Sequence, residues 1–561
     1  MKSVLAAALL LFSTLSIAQN SVDLEKDYQQ YFEGVNLADV YISDHYTSGG
    51  ITHIYFQQAI DGVPITESRG SVHFKSGGSP IVTNDLLPAV GQYSVNSSRN
   101  LDEVAAIYAL AQAKGYDTAV PVTTDASSES VTYRSSSISL SGIKVKPIYY
   151  VSGKQQLSAA YEVFIEQVAD AWMYNFTVDA NTGEIVNTIT LTLECGFDSG
   201  AEHTHSANCQ HNHKVAIPAA DTKALVAMDD SSYNIYPWPI ESPNFGSRSI
   251  VSKPWIDNLA ASPQGWHNIG GTTYTSTRGN NVDSYIDDDN SNAPTNGDNS
   301  RAVGDANMLF DFELNLNDPP EDFKDAAVTN LFYWNNVIHD VLHNYGFDEA
   351  SGNFQEVNYS PNGSAGDYVR AEAQDGGGTC NANMGTPADG GNPRMQMYLC
   401  GSRDGDYDNG VIAHEYAHGL SNRLTGGPGA SGCLSNTEQM GEGWSDYLGM
   451  IMTIEQGDQG TDSRGMGTWL FGEGPGGDGI RPFPYSTDFN INPMTYGTIA
   501  SNSISVPHGL GSVWCTMLWD LTWAMIDEYG FDDDLYEGTG GNNMAFALVV
   551  EGLKLQPCSK D

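Results

Sequence analysis

The stretch Val411–Ala430, VIAHEYAHGLSNRLTGGPGA, places His414, Glu415 and His418 inside a run that otherwise reads as a buried helix. Such a run is either an accident or a metal site with a base beside it. The second alternative constrains the fold severely. Four helical residues advance about 400°, so His414 and His418 project from one face, one above the other. Both rings can then reach a single zinc ion at ~2.0–2.1 Å, with Glu415 off that axis and aimed at a water. Gly419, after the second histidine, permits close approach of a neighbour. Two ligands remain one short of a catalytic zinc set, so another element must bring the third.

QMGEGWSDYLGM, Gln439–Met450, supplies it. Glu442 and Asp446 are again four apart and share a helical face, with Leu448, Met450 and Ile451 continuing the helix as core. Asn436 or Thr437 is the expected cap. Glu442 as third ligand leaves one zinc position for water, and Asp446, a turn away, can hold the second nitrogen of a ligand histidine. A capped helix with exposed acids is the bland reading of this segment. The combination H-E-x-x-H with E-x-x-x-D is far more specific than either half.

The 561 residues imply two or three folded units. MKSVLAAALLLFSTLSIAQN has the layout of a secretory signal peptide cut near Ala18, too short to remain as a membrane span. No later run offers the ~18 apolar residues a spanning helix needs, so the product is expected to be soluble, secreted and extracellular. A net charge of −44 excludes nucleic acid and disfavours an anionic membrane surface. A solvating surface accounts for most of it. Calcium in a structural role is the sharper alternative, with Asp287-Asp288-Asp289-Asn290 and Asp404-Gly405-Asp406-Tyr407-Asp408 as oxygen-rich loops. Export makes disulfides available to the seven cysteines. Spacing leaves the pairing open; Cys195–Cys209 and Cys380–Cys400 are nearest in sequence, and Cys558 stands as the thiol left over.

Up to about residue 190 the chain alternates like strands. Ile51–Phe56, the turn Asp61-Gly62, Val63–Ile65 and Ser71–Phe74 form one set; Tyr161–Val168, Trp172–Val178 and Glu184–Thr190 form another. Asn100-Leu-Asp-Glu103 reads as a capping box opening a helix to Lys114, stopped by Gly115. His203, His205, His211 and His213 with Cys195 and Cys209 lie in a polar tract whose spacing fits no structural zinc site, so an exposed linker is expected. Asp325–Tyr345 is an amphipathic helix ended by Gly346. Its His339-Asp-Val-Leu-His343 copies the histidine spacing with the wrong acid and no third ligand, and a packed helix is the better reading.

VIAHEYAHGLSNRLTGG followed by GEGWSD resembles the fungalysin family of metallopeptidases, relatives of thermolysin among the Glu-zincins. YPWPIESPNFGSRS, TRGNNV, NANMGTPADGGNPRMQMY, GIRPFPYS, NPMTYGT and HGLGSVWCTMLWD resemble the same catalytic unit. IYFQQAIDGVPI resembles the propeptide module of fungalysins and thermolysins, and the Tyr161–Val186 hairpins a PepSY-type second half.

The resemblance implies an α+β fold: a thermolysin-like peptidase of two lobes, β-rich then helical, with the zinc helix between, preceded by an α+β propeptide of two cystatin-like or PepSY-like modules. The implied boundaries are a signal peptide at 1–18, modules at 19–95 and 96–194, a Cys/His-rich junction and processing region at 195–229, and a catalytic domain at 230–561. Within that domain the N-lobe runs to about 405, the zinc helix spans about 410–423, and the C-lobe follows from about 424, short of the usual family end. The resemblance further implies His414, His418 and Glu442 as ligands of one catalytic zinc, with Glu415 as general base and acid. His508 is the implied oxyanion donor, Asn381 and Ala382 the start of the substrate-pairing edge strand, and Arg481 a contact to a substrate carbonyl; nothing in Ser505-Val506-Pro507 identifies what orients His508. The expected function is a zymogen endopeptidase, a monomer acting on proteins and peptides, with its own propeptide as inhibitor and folding aid. The alternative is an inactive zinc- and calcium-binding surface module of the same fold, against which Glu415 speaks.

Overall fold

A computed structural model describes residues 23–124, 131–195, 229–294, 300–436, 440–500 and 504–558. The signal peptide, Thr437, Cys209, the four clustered histidines and most of the processing region lie outside them. The architecture is mixed α+β, β-rich towards the N-terminus and helical towards the C-terminus.

Residues 40–190 build one eleven-stranded sheet, whose main path runs Val40–Ser48, Ile51–Ile60, Val63–Lys75, Ile143–Gly153, Gln156–Glu166, Met173–Asp179, Ile185–Thr190. Asp61 and Gly62 both have positive φ, 51° and 77°, as a two-residue hairpin turn requires. The helix Glu103–Lys114 ends where Gly115 adopts φ 75°. Its cap is Asp102, which accepts from Ala105 N at 2.8 Å, rather than Asn100. Asp102 directly precedes the first helical residue, so only its short side chain reaches the third amide of the first turn.

A second sheet orders Thr192–Glu194, Ala382–Gly385, Arg394–Met397, Val369–Ala373 and Val282–Ile286. Its first strand therefore belongs to the N-terminal half and its other four to the C-terminal half. Glu166 strengthens that junction: its fully buried carboxylate meets Arg370 at 2.6 Å and Arg394 at 3.6 Å.

The helix Lys324–Asn344 is buried continuously from Ala326 to Leu342, which corrects the amphipathic expectation. It lies between the second sheet and the histidine helix, so even its polar residues Asn330, Asn336 and Asp340 face protein and are hydrogen-bonded there. Three helices complete the C-terminal half: Gly441–Ile451, His508–Tyr529 and Gly541–Lys554. The first has Met440 at its N-cap with no side-chain cap bond, so Asn436 does not cap it. A Cβ at Gly443 would fall 2.3 Å from Gly511 O, and one at Gly511 would fall 2.6 Å from Glu442 Cβ. Only glycines let these two helices touch there.

Cys380 pairs with Cys400, and Cys433 with Cys558. The last pair overturns the reading of Cys558 as left over; the two are 125 residues apart, a separation that spacing arguments cannot bridge. Cys195 and Cys515 are free and buried. Asp404, Asp406 and Asp408 are buried as well, and they accept from the amides of Asp406, Gln374 and Leu470 rather than forming an open oxygen-rich loop.

His53 and His73 face each other in the first sheet, Nδ1 to Nδ1 at 3.0 Å, with Lys554 acting on His53 from the C-terminal half. Burial pushes His53 down to about 3 and His73 to about 4, from an ordinary 6.5. The folded rings stay neutral while unfolded ones take protons, so their contribution to stability is intact above 6.5 and is lost as pH falls towards the folded values. Amide exchange over Ile51–Lys75, corrected for intrinsic rates, should therefore accelerate between about pH 7 and about pH 5. Equal protection at both would refute this.

Candidate metal centre and active site

Every residue of the helix Asn409–Leu424 is buried. Gly419 sits where a Cβ would be 2.8 Å from Phe354 and 3.0 Å from Met384, so the helix seats tightly on the second sheet. From the facing helix Gly441–Ile451, Glu442 reaches both histidines: Oε2 lies 3.4 Å from His414 Nε2 and Oε1 lies 3.6 Å from His418 Nε2. Neither Nε2 has a hydrogen-bond partner, although both rings are fully buried. Donors about 2.0–2.1 Å from a tetrahedral centre stand roughly 3.3–3.4 Å apart. The three side chains thus fit a metal ion, and their donor atoms form one compact group.

Asp446 fixes the arrangement. Its Oδ1 is 2.7 Å from His414 Nδ1, which leaves Nε2 turned towards Glu442. Arg481 forks onto it, Nε to Oδ2 at 2.7 Å and Nη2 to Oδ1 at 2.8 Å, and Nη2 also reaches Glu442 Oε2 at 3.1 Å. The Tyr485 hydroxyl donates to Asp446 Oδ2. Tyr485 lies in GIRPFPYS but carries no spacing signal that points to this contact.

Burial would raise both carboxyls, but His418, His414 and Arg481 outweigh it for Glu442, and Arg481 and His414 for Asp446; both stay well below the usual carboxylate range. Burial drives His418 down to about 3, so it is neutral and free to ligate. For His414 burial is overcome by Asp446 and Glu442, and the ring is raised to about 9. Burial lifts Glu415 to about 8. Three carboxylates, Glu442, Asp446 and Glu415, against one guanidinium leave the pocket negative until His414 and Glu415 take protons. A divalent cation answers the same need by displacing them.

The remaining expected residues gather at the same place. His508 begins the helix His508–Tyr529; its Nε2 is 3.5 Å from Glu442 Oε1 and 3.2 Å from the carbonyl of Glu194, the two acceptors that aim the ring. Ala382 opens the strand Ala382–Gly385, and Asn381 precedes it with its side-chain oxygen buried and without a partner. Arg481 is committed to the two carboxylates, with Nη1 3.5 Å from Cys195 O. His339 instead spends its ring on Asp340 at 2.9 Å and Asn353 at 3.1 Å, and no metal-binding group among the described residues includes it.

Residues 232–561 match the family model described as fungalysin metallopeptidase (M36), and residues 40–82 match the fungalysin/thermolysin propeptide motif. The chain belongs to the fungalysin metallopeptidases. It is 32% identical over 549 residues to the extracellular metalloproteinase MEP of Fusarium vanettenii, covering 92% of this chain and 77% of that protein. Extracellular metalloproteinase 10 of Coccidioides posadasii is 33% identical over 539 residues, with 92% and 78% covered. The mep protein of Aspergillus fumigatus is 32% identical over 542, with 92% and 77% covered. This metallopeptidase therefore carries a propeptide, and zinc is the metal its family implies. Among the described residues no helix is long and apolar enough to cross a membrane.

Replacing Asp446 by Asn keeps the shape but removes the charge behind His414. Zinc affinity should fall by about 10–100-fold, measured by competition with a chromogenic chelator. An unaltered affinity would show that Asp446 does not support the ligand.

Proposed function

We propose that the peptidase is an extracellular zinc endopeptidase in which His414, His418 and Glu442 hold the metal and Glu415 is the general base and acid. The observation that carries this reading is the meeting of two orphaned, buried imidazole nitrogens with the Glu442 carboxylate at ligand-to-ligand separations. Zinc, when bound there, supplies a Lewis acid for the scissile carbonyl and acidifies a water. Glu415 takes the proton of the attacking water on its carboxylate and returns it to the departing amine nitrogen. His508 Nε2 donates to the oxygen on which charge develops, and removing one such donor typically costs about 10²–10³ in kcat. Substrate adds as a strand beside Ala382–Gly385, with Asn381 and Ala382 at its head and Arg481 near a substrate carbonyl. Main-chain pairing of this kind tolerates varied side chains.

The finer organisation is part of the same reading: a thermolysin-like pair of lobes over about 230–561, acting as a monomer. Modules of cystatin or PepSY type at 19–95 and 96–194, with the processing region 195–229, form a propeptide that aids folding and blocks the cleft. A structural calcium ion is assigned to Asp287, Glu372 and Asp375, whose buried carboxylate oxygens lie within 4.8 Å of one another.

Processed Glu415→Gln protein should keep its zinc and lose about 10²–10⁴ in kcat on a peptide library. Cleavage at the wild-type rate with zinc retained would remove Glu415 from the mechanism.

A further inference from the structure

The strand Thr192–Glu194 pairs antiparallel with Ala382–Gly385, Thr192 opposite Gly385 and Glu194 opposite Asn383. The pairing extends one residue further, because Cys195 N donates to Ala382 O at 3.2 Å. The propeptide therefore occupies the edge assigned above to substrate. Two of its carbonyls meet the groups assigned to substrate oxygens: Glu194 O lies 3.2 Å from His508 Nε2, and Cys195 O lies 3.5 Å from Arg481 Nη1.

The side chain at the end of this strand is a free, fully buried thiol. Its Sγ donates to Glu415 Oε1, and it forms a compact donor group with His414 and Glu415. His414 is also a member of the group with His418 and Glu442, so the two groups overlap on one imidazole. The unpartnered His414 Nε2 and His418 Nε2 are the independent sign that this space receives a ligand-binding ion. A buried thiol beside such an ion is a soft donor of the kind zinc accepts.

We propose that Cys195 is the latch of the zymogen: in the uncleaved chain its sulfur takes the fourth coordination position of the zinc held by His414, His418 and Glu442. The proposal rests on the zinc reading given above. Coordination forms one sulfur–zinc bond, passes the thiol proton to Glu415 Oε1 and returns a water to solvent. Latency thus acts twice, since the position needed by the reacting water is filled and Glu415 is occupied by a proton. Loss of the strand from the Ala382–Gly385 edge withdraws the sulfur and frees both.

The test is zinc K-edge absorption fine structure on intact full-length protein, paired with Cys195→Ser and with peptidase assays before and after processing. The expected spectrum of the wild type contains one sulfur neighbour at about 2.3 Å. In Cys195→Ser that neighbour disappears at unchanged zinc stoichiometry, and the uncleaved variant is at least about tenfold more active than the uncleaved wild type, since a hydroxyl is a poor substitute for a thiolate towards zinc. A zinc-loaded wild type with only nitrogen and oxygen neighbours overturns the latch while leaving the zinc reading intact. A sulfur signal that survives in Cys195→Ser also overturns it. A purified chain that binds no zinc and cleaves peptide after processing overturns both readings together. The wild-type spectrum decides the matter even if the variant fails to fold.

Discussion

The protein is organised around a problem of charge. Glu442 and Asp446 are held ionised deep between two helices, where the only described guanidinium touching them is Arg481. Burying two such groups is tolerable only when fixed positive charge and hydrogen bonds surround them. Arg481, Tyr485 and His414 surround Asp446, and the two imidazoles lie against the Glu442 carboxylate. Gly443 and Gly511 let the helix bearing His508 approach the same point. The helical part of the chain is thus arranged to keep a small, negatively biased pocket rigid.

The N-terminal half is built into this arrangement rather than resting upon it. Its strand Thr192–Glu194 completes the second sheet, and Cys195 belongs to the same apolar core as the histidine helix. At the far side, Ser48 hydrogen-bonds to the Gly346 carbonyl at 3.2 Å, and the Tyr55 hydroxyl donates to the carbonyl of Lys554 at 2.8 Å. Glu166 adds its contacts with Arg370 and Arg394 beside the Thr192–Glu194 strand, since Met173, its partner across the sheet, donates to Thr192. Contacts at more than one place fix orientation as well as position.

Much of this was legible beforehand, for a physical reason. The i, i+4 pairs His414/His418 and Glu442/Asp446 encode a shared face in their spacing, and the hairpin at Asp61-Gly62 encodes its turn in two residues. Features set by long-range packing were not legible. The close approach of Gly443 to Gly511 is set by segments far apart in sequence, and no local pattern announces it. Cys433 and Cys558 are brought together by the intervening helices. Asn330, Asn336 and Asp340 looked like an exposed helical face because their partners, among them Asn409, Asn281 and Trp266, lie far away in sequence. Cys195 read as part of a polar linker, since one cysteine has no period to betray what it faces.

The antiparallel pairing of Thr192–Glu194 with the edge strand bears on how the proposed inhibition would depend on concentration. A competitor on the same chain acts at an effective concentration that is typically on the order of millimolar for a short tether. The same segment, once severed and diluted, competes only at the concentration of the protein itself. Under the propeptide role proposed above, connectivity adds to the contacts that this strand and the rest of the N-terminal half make, among them those of Glu166, Ser48 and Tyr55. Cutting the chain would remove that advantage of tethering and leave every one of those contacts in place.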